Sequence, residues 1–471
     1  MGFYNAPDSS GETLINVIKD VFIRHNLPLQ NVVGYSFDTA ANMSGSCKGV
    51  QARLMQYCPH AMYVPCCNHT LDLVLQEAAR QIRSVNDAIQ FVKDVANVIR
   101  ESSKRRGIYE SLFGKYEVVR NLLSLCPTRW CVRALSMKRV IDNYEKVMDT
   151  LNIMNGDQTI RGDARARIAG FAKKGRESKT YVKIVLTYEI FKSCEETAKV
   201  LQGQCVTASA ALQCINILRE TLSNLRSEDR LLQLLDSATS HAINNLHLKL
   251  HKEARHTKTP RSIRHDEKTA DDEKIPAWQC IRMEFFEALD LMLQELHVRF
   301  ENQGLQRTAT YEDILVKAAK GSLSEDEEQI LMSMHFPETI NKRRLSVQLS
   351  QLSIVIPVEC KGNLPENALQ MSHVMSSMNR ITRLLFSEVE KLLTMILSLP
   401  TSVASAERTF SCLRRIKTWL RSTMGQSRLT HLAIMNVHST RISELDMMEL
   451  MHNFIMKTSE RQATFGMIGT L

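Results

Sequence analysis

Glycine and proline are scarce in this chain, at 18 and 11 of 471 residues. A sandwich or barrel of many short strands needs frequent Gly/Pro turns, so that class is excluded and long helices are expected. No apolar run reaches about 18 residues, and no membrane span is predicted. The 12 cysteines are scattered, with no secretory signal and no regular framework, which points to a reducing compartment. No fixed repeat period underlies the helical spacing, so a solenoid is not expected. Charge of one sign is not lacking: 60 basic against 51 acidic residues give a net charge of +9. That mild excess is compatible with nucleic acid without selecting for it. Apolar residues at 44% and charged residues at 24% are ordinary for a globular chain long enough for about two or three domains.

What is present begins with residues 399–411, Leu-Pro-Thr-Ser-Val-Ala-Ser-Ala-Glu-Arg-Thr-Phe-Ser. Pro400 breaks what precedes it, and Thr401 and Ser402 are good N-cap types. A helix is predicted from there through Phe410, Leu413 and Ile416 to Trp419. Val403, Ala406, Phe410, Leu413 and Leu420 recur at helical spacing and form one apolar stripe. Glu407 stands at the edge of that stripe, as either a solvated residue or a placed acid.

At the other end, Ser10 caps a predicted helix over 12–25. A strand over 32–37 ends in Asp38, followed by a helix over 48–57, a strand over 61–64 and a helix over 69–80. That order reads as half of an α/β sheet. An Asp at the carboxyl end of such a strand is where a parallel sheet places ligands, and it is equally a common helix cap. Cys66 and His69, at i and i+3, have metal-ligand chemistry but no matching downstream pair; they serve as well to fix a strand-to-helix turn. A long amphipathic helix is predicted over 84–115, with Lys104-Arg105-Arg106 near its end. Cys126-Pro127-Thr128-Arg129-Trp130 follows, a Trp beside an Arg after a proline turn, which suits a core anchor. Residues 136–387 read as helices over 139–154, 179–193, 198–226, 231–250, 276–301, 311–334 and 371–387. They are interrupted by a polar, basic, mobile loop over 251–274 suited to import or DNA contact. Further helices are predicted over 388–399, 428–437 and 445–456.

Several of these blocks, in order, resemble the hAT transposases. Asp38-Thr39-Ala40-Ala41-Asn42-Met43-Ser44-Gly45 is similar to the family's second-acid block, above all in domesticated zinc finger MYM-type proteins. Cys66 and His69 resemble its Cys-x-x-His motif, and Thr128-Arg129-Trp130 its Thr-Arg-Trp block. Residues 399–411 resemble its C-terminal dimerisation block, departing at Ala406 before Glu407. The resemblance implies an RNase H-like core split by an all-helical insertion. It implies Asp38 and Glu407 as metal-holding acids of a DDE triad, with Mg²⁺ as cofactor if the chain is catalytic and none required otherwise. It implies nucleic-acid contacts at Arg129, Trp130, Cys66 and His69, with Trp130 stacking on a displaced base. Dimerisation and packing are expected at Val403, Phe410, Leu413 and Trp419.

The first acid of that triad has no counterpart. Only Asp8, in a turn, and Asp20, inside a helix, precede Asp38. The expected fold is therefore mostly α with a partial α/β core, an incomplete RNase H-like fold truncated at its N-terminus. The expected divisions are a partial core over 1–135, a helical insertion over 136–387, a dimerisation region over 388–440 and a helix with tail over 441–471. Without a first strand, 32–37 is expected to present an open edge unless another segment covers it. The expected function is that of a domesticated or decayed transposase relative, not an enzyme, acting through homo-oligomers and DNA in the nucleus without a membrane. The alternatives are an active DDE transposase once a missing N-terminal part is supplied, or a helical interaction scaffold, with the cytoplasm as the alternative location.

Overall fold

Serine, threonine, asparagine and aspartate mark where ten of the described helices begin. Ser10, Thr207, Ser227, Asn302, Ser324, Asn341, Asn367, Asn379, Asp446 and Thr458 each accept a backbone N–H from the first turn that follows. Such N–H groups have no intrahelical acceptor, and the side chain supplies one. Ser324 and Glu327 form a reciprocal capping box.

The structure is a computed structural model. It describes residues 4–45, 47–114, 121–123, 132–160, 162–203, 206–248, 277–334, 336, 339–360, 363–399, 401–418 and 423–466. In order the elements are α1 (Gly11–Arg24), β1 (Gly34–Tyr35), α2 (Ala41–Ser44), α3 (Val50–Tyr57), β2 (Met62–Tyr63), α4 (Cys67–Gln81), α5 (Arg83–Arg100) and α6 (Ser103–Ser111). Then come α7 (Arg133–Asp142), α8 (Tyr144–Gly156), α9 (Gly162–Gly175), α10 (Ser178–Leu201), α11 (Ala208–Leu225), α12 (Glu228–Asn244), α13 (Ala277–Phe300), α14 (Gln303–Lys320), α15 (Glu325–Ser333) and α16 (Lys342–Glu359). The last are α17 (Ala368–Ser377), α18 (Arg380–Leu385), α19 (Ser387–Ser398), α20 (Ala404–Ile416), α21 (Gln426–Val437), α22 (Ser439–Ser443), α23 (Met447–Met456) and α24 (Ser459–Phe465). The basic segment 251–274 lies outside the described residues.

The fold is mostly α with a partial α/β core, as the sequence predicts. The sheet is smaller than the predicted strands. β1 and β2 pair in parallel with Gly34 opposite Met62 and Tyr35 opposite Tyr63. Backbone bonds from Met62 N to Val33 O, Val64 N to Tyr35 O and Cys66 N to Phe37 O carry the contact along the neighbouring residues at 3.0–3.1 Å. Two glycines let other elements come close. A Cβ on Gly34 would lie 2.1 Å from Leu399 Cδ2, and one on Gly304 would lie 2.1 Å from the Tyr63 carbonyl oxygen. The chain after α19 therefore packs over β1, and the start of α14 sits directly on β2.

Five predicted helices are each two, among them 198–226, which holds the end of α10 and all of α11. The 84–115 span breaks at Glu101–Ser102, and the 139–154 span breaks at Asn143, whose Nδ2 donates to the Arg139 carbonyl at 2.8 Å. The 311–334 span breaks at Gly321, left-handed with φ 70°, and the 371–387 span breaks before the Asn379 cap. At Asn143, Gly321 and Asn379 a local side-chain bond or a left-handed glycine overrides the apolar periodicity. α9 and α16 were not among the predicted helices.

Contacts divide the chain into two compact units, Met1–Asn26 with Val403–Leu471, and Leu27–Ser402. The sequence boundaries at 135, 387 and 440 follow motif blocks, whereas these follow packing. The larger unit has two apolar cores. One is built on α4, α5, α7, α8, α10, α11 and α13 around Phe91, Tyr144 and Phe191. The other is built on α14, α16, α17 and α19 around Tyr311, Leu352 and Phe386. α14 contributes Leu305 to the first core and Tyr311 to the second.

Three buried glutamates close helix starts from a distance. Glu195 on α10 accepts the Ala134 and Leu135 N–H groups at the head of α7. Burial pushes its carboxyl up, against the lowering effect of those donors. Glu312 on α14 accepts Ser209 N–H at 3.2 Å and Ala368 N–H at 3.0 Å, closing α11 and α17 with one side chain. Glu388 on α19 accepts Asn341 N–H at 2.9 Å and pairs with Lys391. Burial alone would raise the Glu388 carboxyl, but Asn341, Lys391 and Arg344 together hold it below the ordinary value. Glu312→Ala leaves the buried Ala368 N–H and the part-buried Ser209 N–H without their acceptor and is expected to cost about 2–4 kcal/mol. Chemical denaturation checks this, with a substitution at the exposed neighbour Asp313 expected to cost far less.

Candidate functional site

Within the Leu27–Ser402 unit, β1 delivers Asp38 to the carboxyl end of the ladder. Asp38 is half-buried there, and its Oδ1 accepts the Ala40 N–H at 3.3 Å, a local turn that leads into α2. Burial pushes the Tyr63 phenol up to about 12, and the Asp38 charge adds to the rise, so the phenol stays neutral beside it. Among the described residues, no group of three or more His, Cys, Asp or Glu side chains gathers at a distance that could hold a metal. Asp38 thus has the donor chemistry for Mg²⁺ without the companions a two-metal site requires.

Cys66 is the joint between strand and helix. It is 1% exposed, donates its N–H to the Phe37 carbonyl at 3.1 Å and accepts the Thr70 N–H at 2.9 Å. A thiol so buried cannot reach a phosphate, so Cys66 is placed as a turn-fixing residue rather than as a surface contact. His69, two residues into α4, is half-buried. Asn68 between them is fully buried, and its amide has no hydrogen-bond partner among the described residues. One turn further, Asp72 at 2% exposure pairs with Arg133 Nη1 at 2.5 Å and accepts from Gln76 Nε2 at 2.6 Å. This pair ties α4 to the head of α7. Arg129 and Trp130, which precede α7, lie outside the described residues. Nothing in the sequence pattern singles out Asp72–Arg133, because the partners stand far apart in the chain and on different helices.

Thr401 does not cap a helix. Its hydroxyl donates to the Val206 carbonyl at 2.7 Å and its carbonyl accepts the Cys67 N–H at 3.0 Å, so it fastens the end of the larger unit to the head of α4. In the other unit, Val403 is the N-cap of α20 and makes no side-chain cap bond. The predicted stripe on this helix needs correcting. Phe410 is 63% exposed, and Ala406 and Glu407 are exposed as well. The buried line is Ala404, Cys412 and Ile416, which packs with Leu429 and Ala433 of α21, while Leu413 supports it from the edge. Small residues at Cys412 and Ala433 let the two helices approach, and this closeness outweighs the greater hydrophobicity of Phe410. α20 ends at Ile416, and Trp419 lies outside the described residues. Asp38 and Glu407 belong to different compact units.

The smaller unit leaves much apolar surface uncovered. Phe410, Met435 and Val437 are exposed on α20 and α21. α23 exposes Met447, Met448, Leu450, Met451, Phe454 and Met456 and buries only Ile455. Phe454 meets Phe465 of α24 at 6.1 Å between ring centroids, and the Arg461 guanidinium lies 4.1 Å from the Phe454 ring. Arg414 and Lys417 stand one and two turns beyond Phe410 along the same side of α20, with Arg415 on another side; all three are exposed and form no ion pair among the described residues.

Residues 383–440 match the hAT family C-terminal dimerisation region, and residues 1–49 match the ZMYM1/FAM200 RNase-like domain. The mouse protein "52 kDa repressor of the inhibitor of the protein kinase" is similar, at 22% identity over 435 residues, covering 88% of this chain and 54% of that protein. The chain thus spans about half the length of this curated relative. Arg133→Met is expected to destabilise the chain by about 3–5 kcal/mol, because it strands a buried carboxylate. The double variant Asp72→Asn, Arg133→Met is expected to recover part of that loss in a denaturant titration.

Proposed function

We propose that this hAT-derived chain, carrying a dimerisation region of the family near its C-terminus, works without transposition chemistry by associating with a second copy of itself. The observation that carries this is the uncovered apolar surface of α20, α21 and α23, in and just beyond the matched region. α23 is amphipathic, with Glu449, His452 and Asn453 on one side and Met447, Leu450, Met451 and Phe454 on the other, and an uncovered apolar face of this extent on one small unit marks an interface.

The magnitudes set the expected strength. A half-exposed Met, Leu or Phe gains roughly 1 kcal/mol on full burial. About five such side chains on each of two copies would give on the order of 10 kcal/mol, within the range of about 4–15 kcal/mol that association costs. Gain and cost are of the same order, so the whole surface is needed for association. The non-catalytic reading is supported by Asp38, which is engaged in its own turn and joins no cluster of metal donors among the described residues. The printed name of the mouse relative, a repressor, is in keeping with a regulatory rather than a catalytic role.

Sedimentation velocity on the full chain is expected to show a two-copy species at micromolar concentration. Phe410→Glu with Met451→Glu and Phe454→Glu is expected to shift it to one copy with unchanged helical circular dichroism. A wild-type chain that stays single throughout would contradict the proposal.

DNA contact is a second reading, favoured by the unpaired Arg414, Arg415 and Lys417. It predicts retardation of duplex DNA that weakens as salt rises, because bound phosphates release counterions. Arg414→Glu with Arg415→Glu is expected to abolish that retardation, and retention at low salt in this variant would count against the reading.

A further inference from the structure

Methionine stands in two different environments in this protein. Met137, Met154, Met292 and Met371 are fully buried in the cores of the larger unit, where a flexible thioether fills gaps. α23 is the reverse case. Four of its ten residues are Met, and all four are exposed: Met447 at 56%, Met448 at 51%, Met451 at 46% and Met456 at 45%. On the larger unit Met55 and Met283 are exposed as well, each alone on its helix, α3 and α13.

The four are not equivalent. At roughly 100° per residue, Met447 and Met451 stand one turn apart on the side that carries Leu450 and Phe454. Met456 falls on the other side with Glu449 and His452, and Met448 falls beside the buried Ile455. Apolarity alone does not call for methionine on this face. Leucine forms helices as readily, loses less side-chain entropy when fixed, and already occupies position 450. Methionine differs from it in carrying an accessible sulfur that two-electron oxidants convert to a sulfoxide. A thiol would compete for such an oxidant, but Cys412, the one cysteine of the smaller unit, is 2% exposed. The accessible sulfurs of that unit are therefore thioethers.

We propose that Met447 and Met451 form an oxidation site for hydrogen peroxide, and that their sulfoxides separate two associated copies. The second part rests on the self-association proposed above and names its regulation. A sulfur lone pair attacks one peroxide oxygen. The S–O bond forms as the O–O bond breaks, and the departing oxygen takes up the proton left on the transferred one and leaves as water. Sulfur is oxidised by two electrons and the peroxide is reduced by two. The sulfoxide oxygen is a hydrogen-bond acceptor that water satisfies on an open face and that a dry contact leaves unpaired. A dithiol reverses the step, removing the oxygen as water while it closes to a disulfide.

The test treats the full chain with hydrogen peroxide and reads two things, the oxygen added at each Met by peptide mass spectrometry and the dissociation constant by sedimentation equilibrium. Met447 and Met451 are expected to gain oxygen well before Met137 and Met292, and the dissociation constant is expected to rise more than about a hundredfold. A methionine sulfoxide reductase with a dithiol is expected to restore it. Each variant is compared with its own untreated sample. Met447→Leu with Met451→Leu is expected to be insensitive to peroxide, whereas Met448→Leu with Met456→Leu and Met55→Leu with Met283→Leu stay sensitive. Peroxide that leaves Met447 and Met451 unmodified overturns the site. A Met447/Met451 variant as sensitive as the wild type overturns the effect on association. An untreated wild type that is single at every concentration removes the self-association reading and with it that effect, and the masses then decide the oxidation site by themselves.

Discussion

A single carboxylate joins the two cores of the larger unit. Glu312 is 1% exposed, and its two oxygens hold the starts of α11 and α17, one helix from each core. In a protein with so little sheet, every helix brings several N–H groups with no acceptor of their own, and burying them is the recurring problem of the fold. Exposed starts solve it with their own Ser, Asn or Asp. Buried starts solve it with a glutamate from a distant helix, which also feels the favourable end of the helix dipole. Glu195 and Glu388 repeat the device at α7 and before α16.

What the sequence makes legible is what local physics decides. Ser10 and the spacing of Leu14, Val17, Ile18 and Val21 place α1 to within a residue. The Val33–Tyr35 and Met62–Val64 segments are found as paired parallel segments, and Asp38 stands at the end of the first as expected. α13, α19 and α21 are likewise close to their predicted spans. The breaks at Asn143 and Gly321 were hidden because apolar periodicity continues across them. The rotation of α20 was hidden because a pattern ranks Phe410 above Cys412, whereas packing against Ala433 favours the smaller side chain. The distant pairs Glu312–Ala368 and Asp72–Arg133 have no signature in the sequence at all.

The same contrast separates the acids of the resemblance from the surfaces. Asp38 keeps the place on its strand that a metal-binding acid would need, yet its carboxylate closes a turn. Cys66 keeps its spacing to His69, yet it is buried as the joint between β2 and α4. The C-terminal helices are the reverse case. Their internal core is only a few residues around Cys412 and Leu429, and most of their large apolar side chains face outward. A unit built this way is completed by something it binds, and the match to a dimerisation region makes a second copy the proposed completion.

The most direct test of that claim is hydrogen exchange on the full chain, followed by mass spectrometry at a series of protein concentrations. Association through the exposed apolar faces predicts that amides of α20, α21 and α23 exchange more slowly as concentration rises, while those of α10 and α13, already deep in a core, do not change. Exchange in α20–α23 that is independent of concentration would contradict the account.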